Sequence, residues 1–351
     1  MAELPPIGKI DGAFFNEVIF PRLGAKRPEV VQGPQHGVDV GIIEIGEYAL
    51  ATTADPVFIV PEYGWERAAW FALHILASDA ACSGLAPAYL AIDLNLPMET
   101  TEEALGLIWN VIHEEAKKIG ISVITGHTAR YEGCHWPMVG GAALTAIGPR
   151  DSWVGPRFMR PGDRIIVTKG PAIEAAGIFA AMFPDVLERE FGTDFARSAQ
   201  ELFYMMSVVQ DARVAVSLGV REDGVSAMHD ATECGLWGGL YEMSEAAGLG
   251  AVVEIERIPL DERAKRICSF YGIDPYSSIS EGTLIITSRP HKAPEIVEML
   301  NRSGIPAAVV GYIKEEPGLI IQEKGSERHQ PHPRVDPFWR AFYDALGAKN
   351  A

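Results

Sequence analysis

Long apolar runs are missing from this 351-residue sequence. Its most apolar stretch, Ala68 to Leu96, is broken by His74, Asp79, Asp93 and several small or turn residues, which argues against a membrane span. The opening MAELPPIGKIDGAFF has acidic residues and early prolines where a secretory leader needs a basic region before an apolar core, so a cytoplasmic protein is expected. Cysteine is scarce. Cys82, Cys134, Cys234 and Cys268 are scattered without a C-x-x-C pair, which disfavours a structural zinc motif and predicts reduced thiols. No Lys/Arg-rich run occurs, and 47 acidic against 30 basic residues give a formal net charge of −17, which argues against a nucleic-acid-binding surface. Low-complexity tracts and short-period repeats are also absent.

What is present is the composition of a compact globular protein, 48% hydrophobic and 22% charged, with length for two domains. Strand-like segments at Val38 to Ile45, Tyr48 to Ala54, Tyr89 to Leu94, Ile121 to Thr125 and Gly140 to Ile147 alternate with helices at Trp65 to Cys82 and Thr101 to Ile119. The Pro, Gly and Arg-rich stretch from Gly148 to Pro161 reads as a boundary. Beyond it come a strand at Arg164 to Thr168, a Lys169-Gly170-Pro171 turn, a helix at Ala172 to Met182 and a helix-rich middle. Strands at Val252 to Ile255, Leu284 to Thr287 and Ala307 to Val310, a helix at Pro294 to Arg302 and an amphipathic helix at Pro337 to Leu346 complete the chain. Domains at 1–150 and 160–325, with a tail at 326–351, are expected.

The run His229-Asp230-Ala231-Thr232-Glu233-Cys234-Gly235-Leu236-Trp237-Gly238-Gly239 sets an acidic, glycine-rich turn ahead of a helix marked by Leu236, Leu240, Met243 and Ala247, with Gly248 as its stop. Glycines cost about 1 kcal/mol each inside a helix relative to alanine. Two readings stand: the glycines allow close packing while Asp230 or Thr232 caps the helix, or the helix-start amides receive an anion whose metal Asp230 holds. Asp79 is a carboxylate inside an apolar helix, a costly placement unless it is paired, hydrogen-bonded or metal-bound. Asp39 follows Gly33-Pro34-Gln35-His36-Gly37 and precedes a strand; Asp55-Pro56 reads equally as a turn. Four such carboxylates could supply hard oxygen ligands to Mg²⁺.

Ser78-Asp79 through Gly84-Leu85-Ala86-Pro87 resembles the Asn-Asp-x-x-x-x-Gly-Ala-x-Pro element of the AIR synthase superfamily, and His229 to Gly235 resembles its His-Asp-Pro-Thr-x-Gly-Gly element in the form found in HypE-like hydrogenase maturation proteins. Gly37-Val38-Asp39, Asp55, Gly126-His127-Thr128, Pro161-Gly162-Asp163 and Glu281-Gly282 match further elements in order. The resemblance implies a two-domain α+β fold, with N-terminal domains forming a dimeric β-barrel and a C-terminal α/β sandwich, and a homodimer binding ATP and Mg²⁺. It implies Asp39, Asp55, Asp79 and Asp230 as metal and phosphate-site acids, with Asp79, Asp230, His127 and His229 as catalytic candidates. Gly37, Asp39, Gly126, Thr128, Lys169, Gly170 and Thr232 are the nucleotide-lining candidates. Lys169 has a plain alternative as a solvated residue at a strand end, as His127 and His229 have in generic core or turn roles.

The sequence departs from the family at Ser78, where asparagine is usual, at Cys234, where glycine is usual, and after Cys268, beyond which no cysteine follows. HypE-like enzymes carry the carbamoyl group on a terminal cysteine, so their usual carrier reaction is not expected. The expectation is an ATP- and Mg²⁺-dependent HypE-like enzyme that activates an oxygen of a small molecule or carrier-protein substrate by phosphorylation. The alternatives are a thiamine-monophosphate-kinase-like phosphotransferase and a non-catalytic nucleotide-binding scaffold.

Overall fold

The computed structural model describes residue 10 and residues 12–350. After a single helical turn, α1 (Gly12–Phe14), the first half contains β1 (Val30–Gln32), β2 (Gly41–Ile45), β3 (Tyr48–Phe58), α2 (Trp65–Cys82), β4 (Ala86–Leu96), α3 (Glu102–Ile119), β5 (Ser122–Arg130) and β6 (Met138–Pro149). The strands form one sheet in the order β1-β2-β3-β6-β4-β5. Its one parallel pair, β4 with β5, is joined by the crossover helix α3. Thr101 accepts from the Ala104 amide at the start of α3, and Gly120 closes its end at φ 98°.

Alternation places Ala49, Ala51 and Thr53 of β3 and Leu90, Ile92, Leu94 and Leu96 of β4 on the covered face. The buried alanines Ala68, Ala69, Ala72, Ala77 and Ala80 let α2 lie close against β3, β4 and β6 on one side. The other side of α2 meets structure from the second half of the chain, so this helix is the wedge between the two sheets.

The second half contains β7 (Arg164–Thr168), α4 (Ile173–Met182), α5 (Pro184–Phe191), α6 (Thr193–Ala199), α7 (Val209–Val216), β8 (Val225–Asp230), α8 (Gly235–Ala247), β9 (Gly250–Glu254), α9 (Glu262–Tyr271) and β10 (Leu284–Ser288). It closes with α10 (Ala293–Arg302), β11 (Ala307–Lys314), β12 (Gly318–Glu323), β13 (Ser326–Gln330) and α11 (Pro337–Asn350). The seven strands run β13-β12-β9-β11-β7-β10-β8. The whole is a two-sheet α+β architecture, as expected. Strand β8 is at the sheet edge yet buried at every residue, because α2 and α7 pack against it.

Three local expectations change. Asp55-Pro56 is not a turn: β3 continues to Phe58, with Asp55 opposite Ala142 and Pro56 at a register break where the ladder needs no donor. Residues 326–330, expected in the tail, form β13 and pair with β12. The helix-rich middle also contains β8, whose double-sided burial leaves no period-two pattern to read.

Candidate active site

Four elements bring carboxylates together beside α2. Asp39 comes from the loop before β2, Asp55 from β3, Asp79 from the last turn of α2, and Asp230 from the end of β8. Thr53 Oγ1 donates to Asp79 Oδ2 at 2.8 Å, and Asp55 lies within hydrogen-bonding reach of Asp79. Desolvation first, then the fields of Asp230, Asp55 and Asp39, push the Asp79 carboxyl well above its ordinary range. The group therefore holds a proton more tightly than an isolated aspartate, a sign of accumulated negative charge.

His229 supplies the nearby positive charge. Its Nδ1 meets both Asp39 oxygens, at 2.7 and 2.9 Å, and its Nε2 lies 3.6 Å from Glu242. Burial alone would lower its pKa, but Asp39 and Glu242 override it and raise the imidazole well above its ordinary value. Both ring nitrogens thus face carboxylates. His229 orients Asp39, and its two nitrogens are held within the chain by Asp39 and Glu242.

Other expected residues divide. Gly126, His127 and Thr128 lie on exposed β5, in a strand and not a turn; Gly126 is in register with Asp55 through Ala142 and Ile92, three strand spacings or roughly 14 Å away. His127 Nε2 pairs with the Tyr131 hydroxyl at 2.8 Å. Within one chain, β5 is not brought to the acids. Lys169 is neither solvated nor open to a phosphate: its buried Nζ donates to Asp211 at 3.0 Å and to the Ser207 carbonyl at 2.7 Å, while Thr168 also donates to Asp211. A lysine so enclosed is a structural ion pair. Gly170 is needed for backbone approach, since a Cβ there would come within 2.0 Å of the Pro259 carbonyl oxygen. Gly37, at φ 74°, likewise approaches protein and not ligand: its Cβ would stand 2.2 Å from the Glu242 carbonyl oxygen on α8.

The glycine-rich turn holds an anion that belongs to the chain itself. Cys234 has φ 64°, and its amide donates at 2.7 Å to Asp336, whose other oxygen accepts from Phe338 N at 2.9 Å. The Thr232 carbonyl accepts from Gly235 N and Ser280 N. Burial, opposed by those amides, raises the Asp336 carboxyl to about 6.

Residues absent from the sequence-based set complete the cluster. Glu281, 2% exposed, is raised well above the ordinary glutamate value by burial, Asp230 and Glu174, with the Ser78 hydroxyl beside it opposing the shift. Ser78 Oγ accepts from Val208 N. Glu174 accepts from Glu281 N at 2.9 Å. Cys82, the last residue of α2, has its thiol within 4.8 Å of ligand oxygens of both Asp39 and Asp230. Its i, i+3 spacing from Asp79 puts both on one helix face, a signal available in the sequence.

This cluster makes stability pH-dependent. Burial, reinforced by Asp336, Asp230 and Glu233, raises Glu174 from 4.5 to about 8. The folded state then binds that proton more tightly than the unfolded chain, so the stabilisation is complete below about 4.5 and is lost as pH rises through about 8. Urea midpoints of the cation-free protein should fall across that window, and Glu174→Gln should flatten the fall. A wild-type profile that rises or stays level through it would contradict the assignment.

The AIR synthase related protein family matches in two parts, its N-terminal domain over residues 37–147 and its C-terminal domain over 160–324. A hydrogenase expression/formation protein of Methanocaldococcus jannaschii is 26% identical over 340 residues, 95% of this chain and 96% of its own. Carbamoyl dehydratase HypE of Escherichia coli is 25% identical, covering 75% of this chain and 76% of its own. The fold also matches a crystal structure of the hydrogenase maturation protein HypE in complex with ATP, at TM-score 0.62 and 19% identity, over 93% of this chain and 97% of that one.

Proposed function

The chain belongs to the AIR synthase related family, and from that premise we propose an ATP- and Mg²⁺-dependent, HypE-like enzyme that activates an oxygen of a small or carrier-bound substrate by phosphorylation. One observation carries the reading: Asp39, Asp55, Asp79 and Asp230 converge from both halves of the chain, where burial first and then the other three acids drive the Asp79 carboxyl upward. Such crowding is unfavourable in isolation and is relieved by a divalent cation. The donor set, all carboxylate, fits Mg²⁺. When bound, Mg²⁺ supplies charge neutralisation of a polyphosphate.

The chain's own residues position the reaction. His229 fixes Asp39, Thr53 fixes Asp79, and the β8–β10 pairing that sets Leu284 opposite Asp230 holds the β8 carboxylate next to the turn bearing Glu281. The substrate is a separate molecule in this reading, because the segment after β13 is docked through the buried Phe338 and Asp336. A homodimer through β5 accompanies the proposal, supported by the exposed Val123 (40%) and Ile124 (62%). Domain limits of 1–150, 160–325 and 326–351 belong to the same reading.

Calorimetric ATP titration tests it. ATP should bind with Mg²⁺ and lose at least about tenfold in affinity with EDTA or in Asp55→Asn. Cation-independent binding, unaltered in that variant, would overturn the metal assignment. Tight binding with no turnover across oxygen acceptors, thiamine monophosphate and carbamoylated peptides included, would favour the scaffold.

A further inference from the structure

We propose that Glu242 and His332 form a brace that seats the Asp39-bearing loop on α8, which makes the segment between β13 and α11 a positioning element of the acidic centre. The functional meaning of the brace rests on the reading of Asp39 as a ligand there; its geometry does not. The contacts form one line across the two halves of the chain. From the surface inward, His332 Nε2 donates to Glu242 Oε1 at 3.1 Å, Glu242 Oε2 lies 3.6 Å from His229 Nε2, and His229 Nδ1 meets Asp39 Oδ1 at 2.7 Å. The two oxygens of Glu242 thus serve different imidazoles. Side-chain exposure falls from 26% at His332 and 22% at Glu242 to 6% at His229, so the brace runs from solvent to the buried end of β8.

The Arg334 amide donates to His332 Nδ1 at 3.0 Å, which places the ring proton on Nε2, the atom that faces Glu242. That turn holds Arg334 at φ 64°, a costly conformation for a residue with a Cβ, so the ring orientation is kept against backbone strain. The other end of the brace is equally specific. Gly37, two residues before Asp39, rests on the Glu242 carbonyl oxygen, where a Cβ would stand 2.2 Å away. Glu242 therefore receives the same loop twice, through its backbone under Gly37 and through its side chain and His229 under Asp39. A plain packing role for His332 has a basis too, since its ring meets Tyr241 edge-on at 5.5 Å. Packing alone requires neither the proton on Nε2 nor a carboxylate opposite it. With the His332 donor removed, the Glu242 carboxylate would turn toward water, His229 would lose a charge partner, and Asp39 would lose the fixed orientation that a ligand needs.

NMR of the full chain, isotope-labelled at its histidine nitrogens and without nucleotide, tests the brace. In mildly alkaline solution wild-type His332 should be the neutral tautomer protonated on Nε2. His332→Ala should move the His229 ring resonances. His332→Gln, whose side-chain amide can donate to the same oxygen, and Tyr241→Leu, which keeps the donor but removes the ring contact, should leave them in place. In Mg²⁺–ATP titrations His332→Ala and Glu242→Gln should each lower affinity at least about threefold, and the double variant should lose no more than Glu242→Gln alone, as residues acting through one contact do. His229 resonances unmoved in a folded His332→Ala protein, a His332→Gln change as damaging as His332→Ala, or additive losses would overturn the brace. A wild-type His332 protonated on Nδ1 would do so even where no variant folds. Wild-type protein that binds no ATP would remove the proposed function and leave the nucleotide-free spectra to decide the brace.

Discussion

Asp79→Asn should make the cation-free protein more heat-stable at pH 8 while reducing Mg²⁺–ATP turnover by about 10²–10³-fold, the scale on which removal of an electrostatic stabiliser acts. The opposite signs have one origin. Asparagine retains an oxygen that accepts from Thr53, and its amide nitrogen can donate to Asp55, where the wild-type pair faces each other as two acceptors. A repulsion becomes a hydrogen bond. The gain should be several degrees in melting temperature and should shrink as pH falls, because the raised wild-type Asp79 then takes up the proton that relieves the repulsion. Function is expected to move the other way, because in the proposed reading the charge that crowds the centre is the charge that would hold the cation. Thermal scans with and without Mg²⁺–ATP check both arms: wild type should gain stability from the ligand and the variant should not. A variant that is less stable at pH 8 without ligand, yet turns over at the wild-type rate, would remove the premise that these acids are a cation site.

How much of this was legible in the sequence depended on whether the physics was local. Helix α2 was readable from Trp65 to Cys82 because its apolar positions repeat along one segment, and Asp79 stood out as a charge inside that repeat. The strand β7 and the turn after it were readable for the same reason, whereas the positive φ of Lys169 and Gly170 came only with the structure. What a side chain meets across the fold was not readable. Lys169 reads as a strand-end cation until Asp211, 42 residues later, encloses it. Asp336 is an ordinary acid before a proline until its carboxylate reaches the Cys234 amide 102 residues earlier. Strand β8 was hidden because burial on both faces removes alternation, and the distance of His127 from the acids within one chain was hidden because a motif specifies neighbours in sequence and not distance across a sheet.

The same Asp336 contact underlies the second large effect. Phe338→Ala should destabilise the protein by about 3–5 kcal/mol, the cost of emptying a large buried aromatic site. Phe338 is 1% exposed, set edge-on to Phe179 at 5.2 Å and stacked with Phe342 at 5.3 Å. Phe179 in turn stacks on Tyr271 of α9 at 3.8 Å, so α11 is fastened to both α4 and α9. Two residues before Phe338, Asp336 bonds the turn that follows Asp230. Loosening α11 therefore releases a restraint on Asp230, the carboxylate proposed as a cation ligand, as well as opening a cavity, and Mg²⁺–ATP affinity should fall several-fold in protein that remains folded. Urea titration reads the first effect and calorimetry below the unfolding transition reads the second. Val335→Ala, at a position 78% exposed, serves as the neighbouring control and should alter neither. A Phe338→Ala protein with the wild-type urea midpoint would mean that the C-terminal helix is not fastened to the body, and a destabilised protein with unchanged nucleotide affinity would separate α11 from the site.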